Sequence, residues 1–325
     1  MSYDSESPTP ARRRLRGNLV IVTAALVPTA LAGWLVWQAM GGSGGQDDKP
    51  PRVLPLPSAP AAQPSGNGNA KAPTVTVTAT PSPSTASPST ASPSTQSARP
   101  TGPLAGRVVV IDPGHNPSNF KHAAEINRQV DIGTNKKECD TTGTDTEGGY
   151  TEAAFTLDVS HRLRALLEKQ GATVSYTQDN DRPFGPCVDE RAAIGNRAKA
   201  DAVVSVHADG AAEGQRGFHV ILPALVNAGK ANTAPIVKPS RELGERIAGK
   251  FVLATGMGPS NYVGEGTGLD VRKDLGGLNL STVPKVFIEC GNMRDSRDEG
   301  LLTSPEWRQK AAQGIADGIS GFLRT

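Results

Sequence analysis

The sequence predicts a single α/β domain with a mostly parallel sheet, occupying residues 104–325 of a 325-residue chain. Two observations predict it. Short, continuous apolar runs bounded by turn residues recur along this part, as strands buried on both faces require. Segments with helical spacing alternate with these runs, the pattern of parallel strands joined by helical crossovers.

The chain opens differently. Residues 1–17 are polar and carry Arg12, Arg13, Arg14 and Arg16, and no charged residue occurs from Leu19 to Met40. At about 1.5 Å per helical residue, that run spans roughly 30 Å, the thickness of a bilayer core. Residues 18–40 are therefore expected to be a single-pass signal-anchor in the cell membrane. The arginines stay cytoplasmic and everything C-terminal lies outside the cell. A cleaved signal peptide ending near Ala30-Leu31-Ala32 is the alternative, which secretes the same domain. Residues 41–103 are rich in Pro, Ser, Thr, Ala and Gly and repeat the block Ala-Ser-Pro-Ser-Thr. Such a stretch buries too little apolar surface to fold and reads as a disordered spacer.

The globular part opens on residues 107–116, RVVVIDPGHN. Val108, Val109, Val110 and Ile111 form a buried strand. Asp112-Pro113-Gly114 breaks it, Gly114 permitting a backbone that a side chain would forbid. His115 follows, at the C-terminal mouth where open α/β folds place their chemistry. The polar stretch 117–149 has no clear period, and loops of that length inside compact domains are usually functional. A helix then starts at Thr151-Glu152. It carries Ala153, Phe155, Leu157, Val159, Leu163 and Leu167 at helical spacing and stops at Gly171. Further strands are expected over 173–177, over 202–206 ending at His207, over 217–222, and over 286–288 ending at Glu289. Further helices are expected over 189–199, 239–254 (apolar side Leu243, Ile247, Val252) and 305–323.

The net charge of +2 provides no strong field for a polyanion, so nucleic acid is not an expected partner. The three cysteines, Cys139, Cys187 and Cys290, form no CxxC pair, which speaks against a thiolate zinc site. Cys139 and Cys187 sit in Gly/Pro/polar loops of an exported domain, where a disulfide is reasonable. Cys290, in a short buried strand, is expected to be the free thiol.

Three predicted strands thus end in ionisable groups: His115, His207 and Glu289. In a parallel-rich sheet such ends open onto one crevice, and Glu152 starts a helix that could face it. Two imidazoles and one carboxylate, with an open fourth position, form a standard catalytic zinc set. A further carboxylate outside the coordination sphere can then take a proton from water.

The motifs VVVIDPGHN, GYTEAAFTLDVSHRLRALLEKQG, RAAIGNRAKADAVVSVHAD and GLDVRKDLGGLNLSTVPKVFIECGNM occur in that order, followed by the terminal helix. Over nearly all of residues 107–323 the chain resembles the zinc-dependent N-acetylmuramoyl-L-alanine amidases. These cut bacterial peptidoglycan between muramic acid and the first L-Ala of the stem peptide. The resemblance implies that His115, Glu152 and His207 bind Zn2+ and that Glu289 is the catalytic carboxylate. It also implies a twisted mixed sheet flanked by helices and a peptidoglycan or muropeptide substrate. Asn116-Pro117 stand where the family often has glycines, and Asp209 where it often has Asn, which puts loop shape in question.

The remaining candidates read as structural. His161, nine residues after Glu152 and so about 180° around the helix, points away from any site. His122 is expected to be solvated in the loop, His219 packed within a strand, and Arg191 and Arg197 engaged in structural ion pairs. Cys290 as a nucleophile would need a histidine base, and both strand-end histidines suit metal better. Two other functions remain at this stage: a zinc peptidase cutting within the stem peptide, and an inactive wall-binding module. The domain is expected to act as a monomer, with the membrane as its partner through the anchor.

Overall fold

The structure is a computed structural model and describes residues 101–325. The expected anchor and the expected linker up to residue 100 lie outside the described residues.

In chain order the elements are β1 (Val108–Pro113), α1 (Ala123–Ile126), the hairpin β2 (Gln129–Asp131) and β3 (Lys136–Glu138), α2 (Glu152–Lys169) and β4 (Thr173–Tyr176). Next come α3 (Val188–Arg197), β5 (Ala202–Asp209), β6 (His219–Pro223), the hairpin β7 (Asn227–Ala228) and β8 (Ala231–Asn232), and α4 (Ala234–Thr255). The chain closes with β9 (Leu269–Arg272), α5 (Gly276–Asn279), β10 (Lys285–Asn292), α6 (Ser296–Leu302) and α7 (Pro305–Leu323). Six strands form the main sheet in the order β4-β1-β5-β10-β6-β9. The first four run parallel, β6 is antiparallel to β10, and β9 is parallel to β6. The sheet is therefore mixed.

Helices α2, α4 and α7 cover one face of the sheet. They bury Phe155, Val159, Leu163, Ile247, Phe251 and Ile315 against Ile111, Val204, Val220, Val286 and Ile288. Burying each such side chain fully is worth about 1.5–3 kcal/mol. The stripe on α2 is Phe155, Val159, Leu163 and Leu167, while Leu157 lies outside it. On α4, Phe251 takes the place expected of Val252, which is half-exposed. That helix starts at Ala234, and Pro239 sits inside it. Pro239 lies past the first turn, so its missing N–H removes the bond an interior residue would make to the Pro235 carbonyl.

The opposite face carries α3, α5 and the long segment after β1. That segment is not a featureless loop. Val130, Ile132, Cys139, Cys187 and Val188 form a small core beneath it, and Cys139 and Cys187 are joined as a disulfide. Cys290 is free and buried. Between the segment and the sheet lies a buried ionic network centred on Asp112. Its carboxylate accepts from Lys285 Nζ at 2.8 Å, Arg191 Nη1 at 2.8 Å, Thr177 Oγ1 at 2.6 Å and Ser205 Oγ at 2.9 Å. Burial alone would raise the Asp112 carboxyl; the Lys285 and Arg191 charges outweigh it and hold the group well below the usual carboxylate range. Arg191 thus makes the expected ion pairs. Arg197 is a correction: it is exposed and takes part in no ion pair seen among the described residues.

Candidate metal centre

Strands β1, β5 and β10 are adjacent and parallel, so their C-terminal halves open onto one edge of the sheet. Register places Pro113 beside Val206 and His207 beside Glu289. His207 and Glu289 lie inside their strands rather than after them, since β5 runs on to Asp209 and β10 to Asn292.

His115 follows β1 with φ 60, a left-handed backbone uncommon for a residue other than glycine. The left-handed turn is therefore at His115, not at Gly114. Gly114 has a steric role instead: a Cβ there would lie 2.3 Å from Cε1 of His207. The carbonyl of His115 is held by Arg191 Nη2 at 3.0 Å and Gln178 Nε2 at 2.9 Å, which pins the turn.

Glu152 enters from the opposite side of the sheet. Thr151 caps α2 by accepting from Ala154 N at 3.3 Å, and the backbone N–H of Glu152 donates to Thr144 O at 2.9 Å. Each carboxylate oxygen meets one imidazole: Oε2 lies 3.1 Å from His115 Nε2 and Oε1 lies 2.9 Å from His207 Nδ1. The same oxygens accept backbone N–H groups from Thr144 at 3.0 Å and Ala208 at 3.2 Å. One ligand atom from each of His115, Glu152 and His207 falls within 4.8 Å of the others, close enough to hold one metal ion.

The outer atoms fit that purpose. His115 Nδ1 donates to Thr141 O at 3.1 Å, which leaves the Nε2 lone pair directed inward. Such a backbone carbonyl behind the ring is the usual way a metal-binding histidine is oriented. The His207 ring lies nearly parallel to Phe287, 17° between planes and 5.3 Å between centroids. Gly143 completes the wall, since a Cβ there would lie 2.8 Å from both Glu152 Oε2 and His115 Cδ2.

The three groups are strongly coupled electrostatically. Burial would lower His115, but the Glu152 carboxylate, with Asp140 behind the ring, pushes it up to about 9. Burial would raise Glu152, but His115 and His207 hold it well below the usual carboxylate range. Glu289 goes the other way: burial, reinforced by Glu152 and Asp209, raises it well above its ordinary value, against the pull of Arg272. The two carboxylates lining one cavity therefore have opposite proton affinities. A cavity of about 210 Å³ joins these groups and is also lined by Asp209, Ile221, Arg272 and Leu275. A groove of about 360 Å³, walled by Asn116, Pro117, Phe120, Thr144 and Asp145, opens beside it.

All four predicted site residues come together here. His161 is exposed and pairs with Asp179, away from the site. His122 pairs with Glu125 and lies against the Phe184 ring, so it is only partly solvated. His219 is buried, and directly opposite Glu289. Asn116 anchors its loop through Gly185 O and Arg182 O, and Asp209 accepts from Tyr262 Oη at 2.7 Å. Arg272 was not anticipated, because the short strand β9 has no clear period. The backbone of Thr141 and Thr144 was foreshadowed only by the length of the segment that carries them.

Residues 109–321 match the profile of the N-acetylmuramoyl-L-alanine amidase family. The chain belongs to that family. It is 42% identical over 231 residues to the N-acetylmuramoyl-L-alanine amidase Rv3717 of Mycobacterium tuberculosis, covering 70% of this chain and 91% of that one. The crystal structure of Ami1, an N-acetylmuramyl-L-alanine amidase from Mycobacterium smegmatis, superimposes with a TM-score of 0.62 at 41% identity, over 69% of this chain and 99% of that one. Ami1 from Mycobacterium abscessus gives a TM-score of 0.61 at 40% identity, over 68% and 100% of the two chains. The probable cell wall amidase LytH of Staphylococcus saprophyticus is more distant, 26% identical, and the match spans 60% of its length.

Proposed function

We infer that the chain hydrolyses peptidoglycan at the amide bond between N-acetylmuramic acid and the L-Ala of the stem peptide, with Zn2+ held by His115, Glu152 and His207. The observation that carries this reading is the convergence of two imidazoles and one carboxylate within 4.8 Å beside the partly buried Glu289, in a chain of this family. Two nitrogens and one carboxylate oxygen suit zinc and leave a position open for catalysis. When bound, zinc supplies a Lewis acid that polarises the scissile carbonyl and lowers the pKa of water. Glu289, whose burial strengthens it as a base, accepts the proton and delivers it to the leaving amine. Glu152 stays charged and neutralises part of the metal's charge. The apolar run over 18–40 tethers the enzyme to the membrane and places this domain outside the cell.

The test is digestion of purified muropeptides by the full-length protein, followed by mass spectrometry. Stem peptides with a free N-terminal L-Ala are expected, along with loss of activity on chelation and recovery with zinc. Cleavage within the stem peptide would establish the peptidase reading instead. Fractionation of the producing cells tests the tether. The intact N-terminus is expected in the membrane, and a soluble protein beginning near Gly33 would replace the anchor with a cleaved signal.

A further inference from the structure

One cation lines a cavity otherwise built from acids, imidazoles and apolar groups. The cavity of about 210 Å³ at the metal centre takes in the Glu152, Asp209 and Glu289 carboxylates with His115 and His207. Arg272 is the single lysine or arginine among its described lining residues. It comes from β9, the strand at the edge of the main sheet. Its guanidinium is gripped along one side. Nε donates to Asp274 Oδ1 at 2.9 Å and Nη2 to Asp274 Oδ2 at 2.6 Å. Asp274 also accepts from Lys137 Nζ of β3 at 3.3 Å. The bonds from Arg272 outweigh burial and lower the Asp274 carboxyl to about 2, so the aspartate stays charged. Two cations thus share one aspartate beside the cavity.

A guanidinium has five N–H donors, and Asp274 takes two of them. No hydrogen bond from Nη1 is seen among the described residues. Asp270 and Glu289 lie within the field of Arg272 but form no ion pair with it among the described residues. The edge formed by Nη1 and the second Nη2 proton is therefore open. That edge is the fork that matches a carboxylate with two parallel bonds. The side chain is 38% exposed, so a ligand can reach it.

The chemistry of the substrate decides which carboxylate can arrive. The lactyl carboxyl of muramic acid is consumed in the scissile amide, so the sugar side of the bond brings no anion. The free carboxylates belong to the stem peptide. The neighbouring groove, walled by Asn116, Thr144 and Asp145, has no lysine or arginine among its described lining residues and suits the uncharged sugar. One residue of extended chain spans at most about 3.3–3.6 Å, so a group that meets Arg272 inside this small cavity sits next to L-Ala.

We propose that Arg272 selects the stem peptide: its open Nη1/Nη2 edge binds the α-carboxylate of the acidic residue that follows L-Ala, while Asp274 and Lys137 hold the guanidinium in place. This rests on the amidase reading. A stem peptide with a primary amide at that position offers one neutral oxygen instead of two charged ones and is the poorer substrate.

The experiment gives two purified muropeptides to full-length wild-type protein, Arg272→Gln and Arg272→Lys. The muropeptides differ only at the residue after L-Ala, a γ-linked D-glutamate with its α-carboxyl free or as the primary amide. Zinc content, melting temperature, kcat and KM are measured. Wild type is expected to prefer the free carboxylate about 10- to 100-fold in kcat/KM, mostly through KM, the weight of hydrogen bonds to a charged group. Arg272→Gln is expected to abolish that preference. Arg272→Lys keeps the charge without the fork and is expected to retain only part of it. The ratio between the two substrates is independent of the fraction of active enzyme, so it decides even if a variant melts lower. A wild type that cuts both muropeptides equally well overturns the proposal. Equal losses on both in Arg272→Gln also overturn it, because a residue acting only through Glu289 or the fold lowers both alike. Either result leaves the amidase reading intact. Failure to release stem peptides with a free N-terminal L-Ala from either muropeptide overturns both.

Discussion

Gly114 lies flat against the imidazole of His207, so close that a Cβ at residue 114 would sit 2.3 Å from Cε1, 2.5 Å from Nδ1 and 2.7 Å from Nε2. The glycine after β1 is therefore a spacing element for His207 of the candidate metal centre. Gly114→Ala is expected to push His207 away from Glu152 while leaving the strands paired. Displacing a ligand's support typically lowers metal affinity or activity about 10- to 100-fold. Zinc titration and circular dichroism check it. A variant with wild-type affinity and rate would show that the ring moves aside freely.

Glu152 and Glu289 are both carboxylates at one site, yet their jobs separate by substitution. Glu152 touches both imidazoles, so Glu152→Ala is expected to lose metal first and activity with it. Glu289→Gln keeps size and hydrogen bonding and removes the proton acceptor. It is expected to retain stoichiometric zinc and to lose about 10²–10⁴-fold in kcat. Metal analysis beside steady-state kinetics decides the matter. Loss of zinc in Glu289→Gln with retention in Glu152→Ala would exchange the roles.

Asp112 gathers Lys285 and Arg191 beneath the site, all three fully or almost fully buried. Asp112→Asn leaves Lys285 without its counter-charge and Arg191 with Asp140 alone, and is expected to destabilise the fold by about 3–5 kcal/mol at pH 7. The folded-state carboxyl is depressed, so its contribution is fully present above the unfolded value of about 3.9 and is lost as pH falls below it. The gap between variant and wild type in urea unfolding should stay constant from neutral pH down to about 5 and narrow further down. A gap that widens in acid would refute the assignment of charge.

The disulfide joins the segment carrying Asp140 and Thr141 to Cys187, the residue that caps α3. Those neighbours orient His115 and hold Arg191. The bridge closes a loop with a sequence separation of 48. For about 50 residues the chain-entropy account gives roughly 4 kcal/mol. Cys139→Ser/Cys187→Ser is expected to unfold at correspondingly lower denaturant and to bind zinc less tightly. Peptide mapping of the protein purified from its producing cells without reductant should find this pair bridged and Cys290 reduced, and free thiols at 139 and 187 would refute the bridge.

The strand VVVI, the Thr151-Glu152 helix start and the strands before His207 and Glu289 were legible in the sequence because each depends on local pattern. Apolar runs, a cap and a turn residue act within a few positions of one another. The three strand-end groups were legible for the same reason, since parallel strands share one open edge whatever their order. Other features depend on contacts between distant segments. Sheet order brought His219 opposite Glu289, and β6 turned antiparallel at a position where no period announced it. The short strand β9, half-exposed and four residues long, carried Arg272 to the cavity with too little pattern to be read. The steric fit of Gly114 against His207, the choice of Nε2 on one ring and Nδ1 on the other, and the opposite proton affinities of Glu152 and Glu289 all follow from packing. Distance, burial and the nearest charge set them, and those are properties of the folded chain.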